Sequence, residues 1–137
     1  ITDCQLEVGA TATDFARESI STTIGKCHRY LELWKGNAAD QTYIAAGFAN
    51  STSAAVVPVQ YVAKRVAPTI TSSAATDLNL AFVGGARALT GIVMSQQTTT
   101  TGRLECADSG AGLTAGHVAV IYLDTGADVY IGFSAEL

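Results

Sequence analysis

The chain has 137 residues, 48% of them hydrophobic and 15% charged, with a formal net charge of −4 at pH 7. That length supports one globular domain with a core, and the apolar content excludes a disordered chain. The eight basic residues touch only at Lys64-Arg65, which excludes the clustered cations of a nucleic-acid binder, and no apolar run approaches the roughly 20 residues of a membrane-inserting helix.

The apolar share is mostly Ala and Val interleaved with Thr, Ser and Gly, a mixture that favours short strands and turns. Ile1 to Val8 alternates as a strand that ends at Gly9. The chain begins with Ile and shows no signal peptide, so the reading is a piece of a longer protein. Arg17 to Cys27 is the one helix candidate, with Ile20, Ile24 and Cys27 on one stripe. That stripe suits a surface helix, or a short three-fold bundle in which Ile20 and Ile24 of three copies meet.

From His28 to Trp34 the period returns to two, with Tyr30, Glu32 and Trp34 on one face and Arg29, Leu31 and Leu33 on the other. Lys35-Gly36-Asn37 is a turn. Thr42 to Phe48 and Ala54 to Val62 read as strands joined by the loop Ala49 to Thr52, with Pro58 marking an edge strand or a bulge. Thr69 to Ser72, Leu78 to Val83, Ala88 to Ser95 and Arg103 to Ala107 are further strands. The run Thr98 to Thr101 suits an exposed loop or strand end, and Asp108 to Gly116 reads as the most flexible loop. Two apolar runs, Val118 to Leu123 and Val129 to Phe133, flank Asp124 to Asp128 in the pattern of a closing β-hairpin. The fold class is therefore all-β: an antiparallel β-sandwich of roughly eight to ten short strands with one short N-terminal helix.

Cys4, Cys27 and Cys106 are odd in number and far apart, which fits buried free thiols made in a reducing compartment and neither a disulfide framework nor a metal clip. No metal or other cofactor is expected. Asp124-Thr125-Gly126-Ala127 spells the aspartic-protease motif and Asp108-Ser109-Gly110-Ala111 a variant of it. Catalysis would need two such carboxylates about 3 Å apart. The few residues after Ala127 leave no room for a flap, and Asp-Gly segments are what turns use, so a hydrolase using Asp124 is the remote alternative.

Five blocks carry a resemblance: Gln5-Leu6-Glu7-Val8-Gly9, Ala12-Thr13-Asp14-Phe15, Cys27-His28-Arg29-Tyr30, Arg65-Val66-Ala67-Pro68-Thr69-Ile70-Thr71 and the closing Ile131-Gly132-Phe133-Ser134-Ala135-Glu136-Leu137. In this order, over nearly the whole chain, they resemble the C-terminal region of bacteriophage and prophage tail fibre or tailspike proteins. Lys64 stands where that family usually has Met, which suggests exposure at this position. The resemblance implies that residues 1–16 close a preceding jelly-roll-like domain and that residues 17–137 form the terminal tip. It also implies a homotrimer, assembly in the host bacterial cytoplasm, and a place on the virion tail where the tip meets a bacterial surface glycan or protein.

The expected function is non-enzymatic host attachment, with a purely structural trimerisation domain as the alternative. Receptor contact is assigned to Trp34 and Tyr43, because a pyranose stacks its C–H face on an aromatic ring, and to Thr99, Thr100 and Asp108, because binding residues concentrate on loops. Ile20 and Ile24 are assigned to the trimer interface.

Overall fold

The structure is a computed structural model that describes residues 18–108, 110 and 112–136. The expected strand and linker in residues 1–16 lie outside the described residues. The element order is α1 (Ile20–His28), β1 (Leu31–Lys35), β2 (Thr42–Ala49), β3 (Ala54–Gln60), β4 (Thr69–Ser72), a single 3-10 turn (Ala75–Asp77), β5 (Leu78–Phe82), β6 (Gly85–Ser95), β7 (Thr101–Asp108), β8 (Val118–Leu123) and β9 (Tyr130–Ser134). The described residues are thus mostly β with one helix, and every strand pairing among them is antiparallel.

The arrangement differs from two stacked sheets. Six strands close into a barrel in the order β2-β3-β7-β6-β5-β8, and the other three form a separate sheet, β1-β9-β4. The barrel fills itself with alternate residues of its strands: Ala55, Val57 and Val59 of β3, Leu104 and Cys106 of β7, Leu78 and Leu80 of β5, and Ala119, Ile121 and Leu123 of β8 are all buried, and Val56, Asn79 and Tyr122 between them are covered as well. Ile131 and Phe133 of β9 belong to the same core, so the small sheet packs on the barrel. Phe133 stacks on Tyr61 at 4.8 Å and meets the edge of Trp34 at 4.8 Å.

The barrel closes at a narrow seam. β2 and β3 pair only at Phe48↔Val56 and Ala49↔Ala55, whereas β2 runs beside β8 from Thr42 to Phe48. Gly47 explains the crossing: a Cβ there would stand 2.0 Å from the Val56 carbonyl oxygen, so only glycine lets the two backbones touch before β2 turns away. Pro58 lies beyond the last β2 partner. The expected edge is therefore a local one, the unpaired stretch of a strand whose other side pairs with β7 through Gln60↔Thr101.

The expected closing hairpin does not form. β8 pairs with β2 and β5 in the barrel, while β9 is the central strand of the small sheet. The connecting segment is drawn apart by outside partners, with Asp124 N donating to Asp77 O and Gly126 N to Asn37 O. Alternation identified both strands, but the choice of neighbour rested on these long-range bonds.

α1 starts at Ser19, whose side chain accepts from Thr22 N, and no residue of the helix is buried. Ile20 and Ile24 are 79% and 49% exposed. Cys27 is exposed as well, against the expectation of a buried thiol, while Cys106 is buried in the barrel.

Candidate functional site

Because β2 leaves β3 at Gly47, the outer wall of the barrel opens into a cleft of about 820 Å³. That volume is in the range of small-ligand sites. Its apolar wall comes from Trp34 of β1, Ile44 and Phe48 of β2, and Val56 and Pro58 of β3; Gln60, Gln96, Thr101 and Arg103 supply polar groups. Val56, Pro58 and Gln60 are alternate residues of one strand, and Arg103 is the cross-strand partner of Pro58. A smaller pocket of about 150 Å³ adjoins it through Trp34 and Ile44 and also takes in Tyr43.

A buried polar network sets Trp34. In β1 the inward face carries Glu32 and Trp34, opposite Phe133 and Ile131, and the outward face carries Leu31 and Leu33. Trp34 Nε1 donates to Glu32 Oε1 at 3.0 Å; Glu32 Oε2 accepts from Val62 N at 2.8 Å and from Lys64 Nζ at 2.9 Å. Lys64 Nζ also donates to the carbonyl of His28 at the end of α1, where the helix dipole favours a cation. Its side chain is fully buried, which corrects the expectation of an exposed lysine. The ammonium fits because carboxylate and carbonyl oxygens surround it. Burial by itself raises the Glu32 pKa, but hydrogen bonds from Lys64, Trp34 and Val62 outweigh it and hold the carboxyl below its ordinary range.

On the opposite rim, Arg103 Nε donates to Ser95 Oγ at 3.2 Å and Arg103 Nη2 pairs with Glu105 Oε1, which also accepts from Ser95 Oγ. Those bonds hold the Glu105 carboxyl below its ordinary pKa. Gln96, between β6 and β7, has φ of +50°, the one non-glycine in the left-handed region among the described residues. Next to it Thr98 Oγ1 accepts from the backbone N–H groups of Thr100 and Thr101, which makes the threonine run a tight turn.

The residues assigned to receptor contact are therefore only partly brought together. Trp34 lines the cleft and Tyr43 the adjoining pocket. Thr99 and Thr100 are exposed beside it, their carbonyls accepting from Lys64 N and Tyr61 N, and the next residue, Thr101, lines the cleft. Asp108 does not belong to this group. It is buried at the other end of β7, about 20 Å along the strand from Thr101, with its Oδ2 3.8 Å from Arg87 Nη1. An inward phase on β7, shared with Leu104 and Cys106, takes it off the surface. Asp124 binds its own turn through Thr125 N, and β6 and β5 stand between β7, which carries Asp108, and β8, which ends just before Asp124.

Phe48, Pro58, Gln60, Gln96 and Arg103 escaped the sequence reading. The outward phase of β3 was a usable signal, since Val56 and Pro58 put two apolar side chains on a barrel's outside. Nothing in the sequence marked Gln96. No protein-family model, curated protein or solved structure matches the chain.

Proposed function

We propose that this domain is a sugar-binding host-attachment module, the tip of a bacteriophage tail fibre or tailspike, which engages a bacterial surface glycan in the Trp34 cleft. The observation that carries the binding reading is the cleft itself: an aromatic and aliphatic wall faced by amide, hydroxyl and guanidinium groups, which is the combination a pyranose needs for stacking and hydroxyl recognition. The tail-fibre assignment rests on the sequence resemblance. In this reading the domain is homotrimeric on the virion and non-enzymatic.

A glycan panel probed with the purified domain and with Trp34→Ala tests the binding reading. Retention of one or more bacterial-type oligosaccharides by the native domain, lost in the variant, is the expected result. Binding to none would sink it.

A second reading, a trimerisation domain without ligand, is favoured by the bare helix: Ile20 and Ile24 stand exposed on an element with no buried residue. Sedimentation distinguishes the parts of the proposal. A trimer that loses assembly on Ile20→Asp/Ile24→Asp and binds no glycan would favour the second reading, whereas a monomer that binds glycan would remove the trimer alone. Hydrolysis through Asp124 would require loss of a measured glycan- or peptide-cleaving activity in Asp124→Asn.

A further inference from the structure

We propose that the cleft selects a sugar bearing a carboxylate, such as a hexuronic acid, with Arg103 as the group that recognises it. The inference deepens the glycan-binding reading and rests on it. Arg103 is the one charged residue among the described residues that line the cleft, and its own carboxylate partner, Glu105, is not one of them. The neutral polar groups, Gln60, Gln96 and Thr101, can each donate or accept and so serve hydroxyls of any configuration. Arg103 can only donate, and the planar, acceptor-only partner it fits best is a carboxylate.

The guanidinium is also held ready. Its Nε is fixed by Ser95 Oγ and one N–H of Nη2 by Glu105 Oε1, with Ser95 and Glu105 bonded to each other at 2.6 Å. Three of its five N–H donors remain, in a plane whose direction is set before a ligand arrives. Glu105 anchors this fork from outside the lining. The strained backbone of Gln96 at the same rim is a second sign of a built site, because a left-handed glutamine has a conformational cost that the strand ends around it must impose. In this arrangement the sugar ring lies on Trp34 and its neighbours, Gln60 and Gln96 take hydroxyls, and Arg103 takes the acid.

The test is calorimetric titration of the whole domain with matched ligands: acidic oligosaccharides found on the panel, their methyl esters, and carboxyl-reduced counterparts. The acid is expected to bind about tenfold more tightly than its ester at low salt, with the gap narrowing as salt is raised. Arg103→Gln, at a partly exposed position, is expected to abolish the gap by weakening the acid more than the ester, and its thermal midpoint and Trp34 emission certify the fold. Equal affinity of acid and ester in the native domain, or an unchanged gap in Arg103→Gln, would overturn the carboxylate assignment. Binding of neutral sugars alone would overturn it and leave the glycan reading standing; binding of no sugar would remove both.

Discussion

Lys64 Nζ donates to Glu32 Oε2 at 2.9 Å across 32 residues of sequence, and neither partner can reach water freely: the lysine side chain is fully buried and the glutamate only 14% exposed. The pair ties three things together, the end of α1 through His28 O, the segment after β3 through Val62 N, and the indole of Trp34.

Removing one partner leaves the other charge buried without its counter-ion. Lys64→Met is expected to cost about 3 kcal/mol. Adding Glu32→Leu to it should recover part of that loss, since the stranded carboxylate is then gone, although Trp34 Nε1 and Val62 N lose their acceptor. Urea midpoints of the two single variants and the double variant give the coupling; purely additive costs would show that the pair contributes nothing of its own.

Acid should undo the same network. The folded pKa of Glu32 is depressed, so its contribution is complete above the unfolded carboxylate value of about 4.5 and is lost as pH falls through the lower folded value. Trp34 is the chain's one tryptophan, so its emission reports on this site without interference. An emission change below about pH 4.5 is expected in the native domain, and Glu32→Gln should remove it. A transition unaltered by that variant would assign it elsewhere.

The two described cysteines should behave oppositely toward a thiol reagent. Cys27 is exposed on α1, whereas burial in the barrel pushes the Cys106 thiol up to about 12. Cys27 is expected to label at once and Cys106 only after denaturation. A raised folded pKa also means stability that is complete below the unfolded value of about 9 and declines as pH rises toward 12. Prompt labelling of Cys106 in the folded domain would contradict a closed barrel.

Gly47 and Gly25 form a matched pair. An added Cβ at Gly47 would collide with the Val56 and Val57 backbone, whereas at Gly25 it would meet nothing within 4 Å. Gly47→Ala should therefore lower stability by about 2 kcal/mol or more and disturb the seam, as β2 cannot move without giving up β8. Gly25→Ala should raise stability by about 0.5–1 kcal/mol through helix propensity. Thermal midpoints decide, and a tolerated Gly47→Ala would show that the two strands do not cross there.

Local patterns in the sequence determined the elements: alternation located the strands, and the spacing of Ile20 and Ile24 located the helix, because side-chain periodicity is a property of the backbone itself. Trp34 and Tyr43 were legible as binding candidates from their chemistry. What only the tertiary structure decided was partnership. It sent β8 and β9 to different sheets and closed six strands into a barrel. It turned Glu32 and Lys64 inward, took Asp108 off the surface, and brought Trp34, Pro58 and Arg103 around one cleft. The physical reason is the range of the forces involved. Period and propensity act over neighbouring residues, whereas strand partners, buried charges and clefts depend on contacts between residues tens of positions apart, and a backbone collision at one glycine sets where two strands must part.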